Sequence, residues 1–125
     1  MKKRVHDIDS LTKSGSYSHA VEAGGLIFVS GMLPINPSKK LAINDDIRTS
    51  TELALTNLKT VVQSAGSSLD KVVKVTVFLR DGTDLNGMNE AYNKFFSKEP
   101  PARSCVIIKE IPGGFPVEIE AIAIK

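Results

Sequence analysis

Val72-Val73-Lys74-Val75-Thr76-Val77-Phe78-Leu79 is the stretch whose reading decides the fold. Most of its residues are β-branched, a composition that fits a pleated strand better than a helix. Alternation sends Val73, Val75, Val77 and Leu79 to one side and Val72, Thr76 and Phe78 to the other. Both faces therefore carry apolar side chains. The closing stretch Val117-Glu118-Ile119-Glu120-Ala121-Ile122-Ala123-Ile124 repeats the pattern. It places Val117, Ile119, Ala121 and Ala123 on one face and Ile122 and Ile124 on the opposite one. Strands of this kind belong in a sheet that is covered on both sides.

The rest of the chain supplies the other elements. Gly24-Gly25 reads as a hairpin turn between residues 18–23 and Leu26-Ile27-Phe28-Val29-Ser30. Gly31, Pro34 and Pro37 end that second strand, because proline donates nothing to a ladder. Asn44-Asp45-Asp46 offers a helix cap, and Ile47, Ala54, Leu58, Val61, Val62 and Ala65 recur as one helical stripe that stops at Gly66. Thr83 or Asp84 caps a second helix whose Leu85, Met88, Tyr92, Phe95 and Phe96 share a face. Glu99-Pro100-Pro101 ends it, and Pro112-Gly113-Gly114 makes the last turn. The order is β-β-α-β-α-β-β, an α+β fold in a single domain over residues 1–125. Two helices cover one face of such a sheet. Nothing left in the chain covers the other, so a further subunit is expected to pack there.

With 125 residues, 42% of them hydrophobic and 24% charged, the composition is that of an ordinary globular domain. A net charge of +2 calls for neither nucleic acid nor an anionic membrane. Cys105 is the only cysteine, which rules out an internal disulfide and fits a reducing compartment. The charged N-terminus lacks an apolar segment behind it, and no apolar run reaches the roughly 18 residues of a membrane span. The expected location is cytoplasmic.

Chemistry concentrates in Pro101-Ala102-Arg103-Ser104-Cys105-Val106-Ile107-Ile108, where a permanent cation stands at the mouth of an apolar strand. A guanidinium is costly to bury without an anion, and its fork of donors fits a carboxylate at two points. Either Arg103 pairs internally with a glutamate of the last strand, or it binds a small organic acid while Glu118 handles protons or water. Strand parity puts Arg103, Cys105 and Ile107 on one face and Glu118 and Glu120 on one face of their own strand. If those faces coincide, cation and carboxylates converge on the uncovered side.

Cys105 is the candidate nucleophile, but His6 and His19 are far away in sequence, so a structural role for the thiol is the ordinary reading. Two histidines and one cysteine show no metal-ligand spacing. His19 reads as a hydrogen-bonding surface or edge residue. Tyr17 reads as simple packing, Ser30-Gly31-Met32 as a turn, and Asn89 as a helix-surface residue. No phosphate loop or nucleophile elbow is present, and aromatic content of 6% leaves little for stacking on bases.

Several segments together resemble the RidA (YjgF) family, over nearly the whole chain. They include Gly15-Ser16-Tyr17-Ser18-His19-Ala20-Val21, Phe28-Val29-Ser30-Gly31, Asn57-Leu58-Lys59, Met88-Asn89-Glu90-Ala91-Tyr92 and Phe95-Phe96. The most specific part is Pro101-Ala102-Arg103-Ser104-Cys105-Val106 combined with Val117-Glu118-Ile119-Glu120-Ala121. The resemblance implies a chorismate-mutase-like α+β fold assembled as a homotrimer with clefts between subunits. It also implies cofactor-free hydrolysis of reactive 2-imino acids and their enamine tautomers to 2-keto acids and ammonia. On that basis Arg103 would bind the substrate carboxylate and Glu118 would position or activate water. Cys105 would line the pocket, and Tyr17, Ser30 and Asn89 would shape it, some of them from the adjoining subunit.

The chain departs from the family pattern at Ser16, where proline is usual, and at His19 and Met32, where glutamine is common. These changes bear on the size and polarity of the cleft. Two other readings accompany the family: an endoribonuclease or translation inhibitor, and a non-catalytic ligand-binding or chaperone-like trimer.

Overall fold

A computed structural model describes residues 2–36, 41–42 and 46–125, and for 41–42 the backbone alone. Six strands form the main sheet: β1 (Arg4–His6), β2 (Ala20–Ala23), β3 (Leu26–Met32), β6 (Val72–Leu79), β7 (Ala102–Ile107) and β8 (Val117–Ile124). Their order is β1-β2-β3-β8-β6-β7, antiparallel throughout except for the parallel β6–β7 pair at one edge. A small ribbon of β4 (Ile35–Asn36) and β5 (Leu41–Ala42) stands apart. The two helices are α1 (Ile47–Ser64) and α2 (Leu85–Phe95). The order expected from the sequence is present, with β1, β4 and β5 added to it.

Local signals account for most boundaries. Gly24 and Gly25 take φ of 61° and 79°, the left-handed geometry that a two-residue hairpin requires, and Ala23 pairs with Leu26 across them. Asp46 caps α1 by accepting from the Arg48 and Thr49 amides at 3.3 Å. Its predicted neighbours Asn44 and Asp45, like Pro37, lie outside the described residues. The helix closes where Gly66 and Ser67 donate back to the Gln63 and Val62 carbonyls. Ahead of α2, Asp81 rather than Thr83 or Asp84 does the capping. Its carboxylate accepts from the Thr83 amide at 2.9 Å at the start of a short 3₁₀ turn that leads into the helix.

The core lies between the helices and one face of the sheet. Ala54, Leu58, Val61 and Val62 of α1 meet Ile27, Val29, Val75, Val77, Leu79, Val117 and Ile119, all buried. From α2, Met88 and Tyr92 join this cluster, as does Phe96 just beyond it. Leu85, expected on the same face, is exposed instead.

Two bulges modify the simple alternation. Between Val72 and Lys74 the β6–β8 register shifts by one residue. Val72 therefore turns into the core and Val73 is 40% exposed, the reverse of the strict-alternation assignment for these two residues. In β3, Val29 pairs with Ala121 and Met32 with Ile119, so Ser30 and Gly31 together oppose the single residue Glu120. Gly31 thus sits inside the strand rather than ending it. The opposite face of the sheet carries Phe28, Phe78, Ile122 and Ile124, with Phe28 and Ile124 nearly half exposed. Among the described residues no element covers it.

Candidate functional site

Paired residues in a sheet point to the same side, so the register places each candidate. Arg103 pairs with Val75 and Cys105 with Val77, and both of those valines face the helices. Glu118 pairs with Phe78 and Glu120 with Thr76, on the uncovered face. Arg103 and Glu118 therefore lie on opposite sides of one sheet, two strands apart. The convergence within one chain that parity left open does not occur, and neither does an internal Arg103–Glu118 pair.

The basic half of the site is at the β7 edge. Arg103 is exposed and, among the described residues, has no carboxylate partner. Its Nη1 donates to Asn89 Oδ1 at 2.9 Å, and its guanidinium carbon lies 4.8 Å from the centroid of the Tyr92 ring. One turn of α2 carries both contacts, because residues 89 and 92 are three apart and share a helical face. A neutral amide and an aromatic face fix the cation without neutralising it. The Tyr92 hydroxyl is buried without a partner among the described residues, and burial pushes its pKa up to about 12. Asn89, Tyr92, Pro101 and Arg103 border an open groove. Cys105, half-buried beside this site, packs against the core. Burial pushes its thiol pKa up and the Arg103 charge offsets only part of that, so the group is a poor nucleophile at neutral pH.

The acidic half is built on the β3 bulge. Glu118 is half-buried, and its side chain lies so close over Gly31 that a Cβ there would overlap the carboxyl group and come within 2.9 Å of Cγ. Only glycine leaves this space. Among the described residues the carboxylate has no hydrogen-bond partner. Burial first, and Glu120 second, hold its pKa above the usual glutamate value.

Ser30 is tied to the turn that precedes β2. Its hydroxyl donates to the Ser18 carbonyl at 2.7 Å, and its amide donates to the His19 carbonyl at 3.0 Å. It thereby pins the turn that carries Tyr17. The Tyr17 ring, 42% exposed, lines a cavity of about 250 Å³ together with Gly31 and Met32. His19 is not a surface residue: it is 3% exposed. Its Nδ1 accepts from the Ile8 amide at 2.9 Å and its own amide donates to Asp7 at 3.0 Å, because the N-terminal segment folds back over it.

Three residues with structural weight here were not singled out as site residues in the sequence, where Gly31 read only as a strand end and Tyr92 only as part of a helix face. Gly31 carries Glu118, Tyr92 underlies Arg103, and Asn57 donates from Nδ2 to the Leu33 and Ile35 carbonyls at 3.0 and 2.9 Å. The available signal for Asn57 was a single amide in an otherwise apolar helical stripe. No cluster of three or more potential metal ligands occurs among the described residues, and no helix there is long and apolar enough to cross a membrane.

Comparison with known proteins gives one consistent outcome. A family profile described as Endoribonuclease L-PSP matches residues 7–125. A RutC family protein of Pyrococcus horikoshii is 38% identical over 125 residues, covering 100% of this chain and 99% of that one. Protein HMF1 of Saccharomyces cerevisiae is 43% identical over 110 residues, 88% of this chain and 84% of its own. Among solved structures, the Rid family protein YyfA of Yersinia pestis superposes with a TM-score of 0.95 at 34% identity, covering 99% of this chain and 100% of that one. TdcF of E. coli, solved with bound serine, gives 0.92 at 32% identity with 98% of each chain covered.

Proposed function

We infer, from the premise that this chain belongs to the endoribonuclease L-PSP family, also named YjgF or RidA, that it hydrolyses reactive 2-imino acids to 2-keto acids and ammonia. The substrates in view are 2-iminopropanoate, its enamine tautomer 2-aminoacrylate, and 2-iminobutanoate. The observation that carries this reading is Arg103: an exposed guanidinium braced by Asn89 and Tyr92, unpaired with any acid among the described residues, facing an open groove. That is a site prepared for a carboxylate from outside. A relative solved with serine bound, a small amino acid, is in keeping with it.

Because Arg103 and Glu118 face away from each other in one chain, a joint site takes them from two chains. The uncovered apolar face supplies the reason for the chains to associate, and a homotrimer is the assembly we propose. At each boundary Arg103 of one subunit holds the two carboxylate oxygens, and Glu118 of its neighbour faces the C=N carbon. Glu118 accepts a proton from a water whose oxygen adds to that carbon. With the imine in its protonated C=NH2+ form this addition gives a neutral carbinolamine; Glu118 then returns its proton to the amino nitrogen, the C–N bond breaks as the hydroxyl oxygen forms C=O, and the hydroxyl proton departs with the ammonia as ammonium. A carboxylate whose pKa burial holds above the usual glutamate value suits a group that must both take and return a proton. Imines also hydrolyse unaided, so orientation plus one proton-transfer group is a sufficient catalytic apparatus. Cys105 is a wall of the pocket in this scheme, and no cofactor takes part.

The test couples an amino-acid oxidase, which makes the imine in place, to a carbonyl reagent that traps whatever imine survives. Wild-type protein lowers the trapped product. Arg103→Ala loses about a hundredfold to ten-thousandfold, the worth of two charge-assisted hydrogen bonds, and Arg103→Lys recovers little of it. Imine loss no faster than in buffer, with small keto acids still bound, would assign the fold to ligand binding without turnover. RNA cleavage that survives repurification and vanishes in a point variant would instead favour the nuclease reading that the family's name carries.

A further inference from the structure

The cavity of about 250 Å³ beside Gly31 is not needed to bind a carboxylate or to place a water. Gly31 is both one of its walls and the residue over which the Glu118 carboxylate lies, so a single glycine separates the space from the group assigned to the reacting carbon. Its lining is apolar for the larger part. Leu11, Met32, Leu33 and Phe115 contribute carbon and sulfur surface. Three polar side chains of the wall are already engaged, His19 Nδ1 by the Ile8 amide, the Asn57 amide nitrogen by the Leu33 and Ile35 carbonyls and the Tyr17 hydroxyl by the Ser14 amide, while Ser10 and Thr12 are exposed to solvent. At about 30 Å³ each, roughly eight waters would fill the volume, with few hydrogen-bonding partners on offer. Water so placed is readily displaced by an apolar group.

The trigonal carbon of an imino acid bears three substituents. In the scheme above, which this inference rests on, the carboxylate goes to Arg103 and the nitrogen stays at the reacting centre beside Glu118. The third substituent is the amino-acid side chain, and Gly31 is the wall it meets. A methyl or ethyl group leaves this cavity nearly empty. A branched or aromatic chain occupies much more of it, and the unbranched thioether of Met32 adapts to different shapes.

We propose that the cavity walled by Gly31, Met32 and Phe115 receives the substrate side chain and makes this protein selective for imino acids with apolar side chains of four or more carbons. Met32 and Leu11 act as specificity-determining residues, distinct from Arg103 and Glu118, which serve every substrate alike.

The experiment measures kcat/KM by the trapping assay with imines made from leucine, phenylalanine, alanine and 2-aminobutyrate. In parallel, calorimetry measures binding of 4-methyl-2-oxopentanoate and pyruvate. Long-chain imines are expected to exceed the alanine-derived imine by about tenfold or more, since each added methylene in a fitted apolar pocket discriminates by about tenfold or better. Leu11→Trp, which fills the space from a partly exposed position, should bring that ratio close to one. Equal or reversed preference in the wild type, or a ratio that Leu11→Trp does not move, overturns the proposal. Calorimetry keeps the two readings apart. If no imine is turned over, the hydrolase reading fails while tighter binding of 4-methyl-2-oxopentanoate than of pyruvate still supports the cavity. Equal binding of the two keto acids rejects it.

Discussion

At the edge of the sheet Arg103 stands exposed, steadied by an amide and a ring and left with its full charge. Two strands inward, on the other face, Glu118 is half-buried against a glycine, without a hydrogen-bond partner among the described residues and with its proton held more tightly than usual. One group waits for an anion and the other is discouraged from being one. In the assembly proposed above each is half of a site, and within one chain the sheet itself keeps them apart. What the contrast teaches is that one chain keeps the two groups apart, so the reaction proposed above has to take them from two chains.

The sharpest way to break this comparison is subunit complementation. Arg103→Ala and Glu118→Ala are each expected to be inactive. Unfolding and refolding them together in equal amounts should restore about a quarter of wild-type activity, the share of boundaries in randomly mixed trimers that unite an intact arginine with an intact glutamate. No recovery, with mixed trimers shown by mass spectrometry, would mean that both groups serve from the same chain.

A smaller effect is expected from Gly31→Ala. The three atoms nearest the new methyl all belong to the Glu118 side chain, which can swing aside. Thermal stability should therefore change by less than about 1 kcal/mol, while kcat falls by about tenfold to a hundredfold as the carboxylate leaves its place. Thermal melts and the trapping assay separate the two. A large loss of stability with unchanged kcat would show that Gly31 serves the bulge and not the carboxylate.

The mildest prediction concerns pH. The folded pKa of Glu118 is raised, so the folded state binds this proton more tightly than the unfolded chain does. Stability from this group is consequently lost as pH rises from the ordinary glutamate value, about 4.3, through the raised one. Glu118→Gln should be modestly more stable than wild type at neutral pH, with the difference closing below about pH 4. Turnover by the wild type should climb through the same window, and the residual rate of the variant should not. Melts and kcat/KM across that range check both.

Much of this architecture is legible in the letters. The alternation in β8, the stripe on α1 and the Gly24-Gly25 turn led directly to the observed elements, and the uncovered apolar face followed from counting which helices were available. The bulges at Val73 and at Ser30-Gly31 were not legible, because one extra residue in a strand leaves the local pattern almost unchanged. The same holds for His19, whose burial depends on Asp7 and Ile8 folding back from twelve and eleven residues away. Short strands such as β1 and β4 carry too few residues for a periodicity to show. In the candidate site, the chemical types were evident while their surroundings were not: nothing near Arg103 in sequence announces Asn89 and Tyr92 beneath it.

The sequence alone determined which side chains can do chemistry and that the sheet has two apolar faces, since both follow from residue type and a period of two. Only the tertiary structure decided that Arg103 and Glu118 look away from each other. That relation depends on strand order and register across β7, β6 and β8. Those are fixed by where the helices and bulges let distant segments pair, and no window of neighbouring residues contains them.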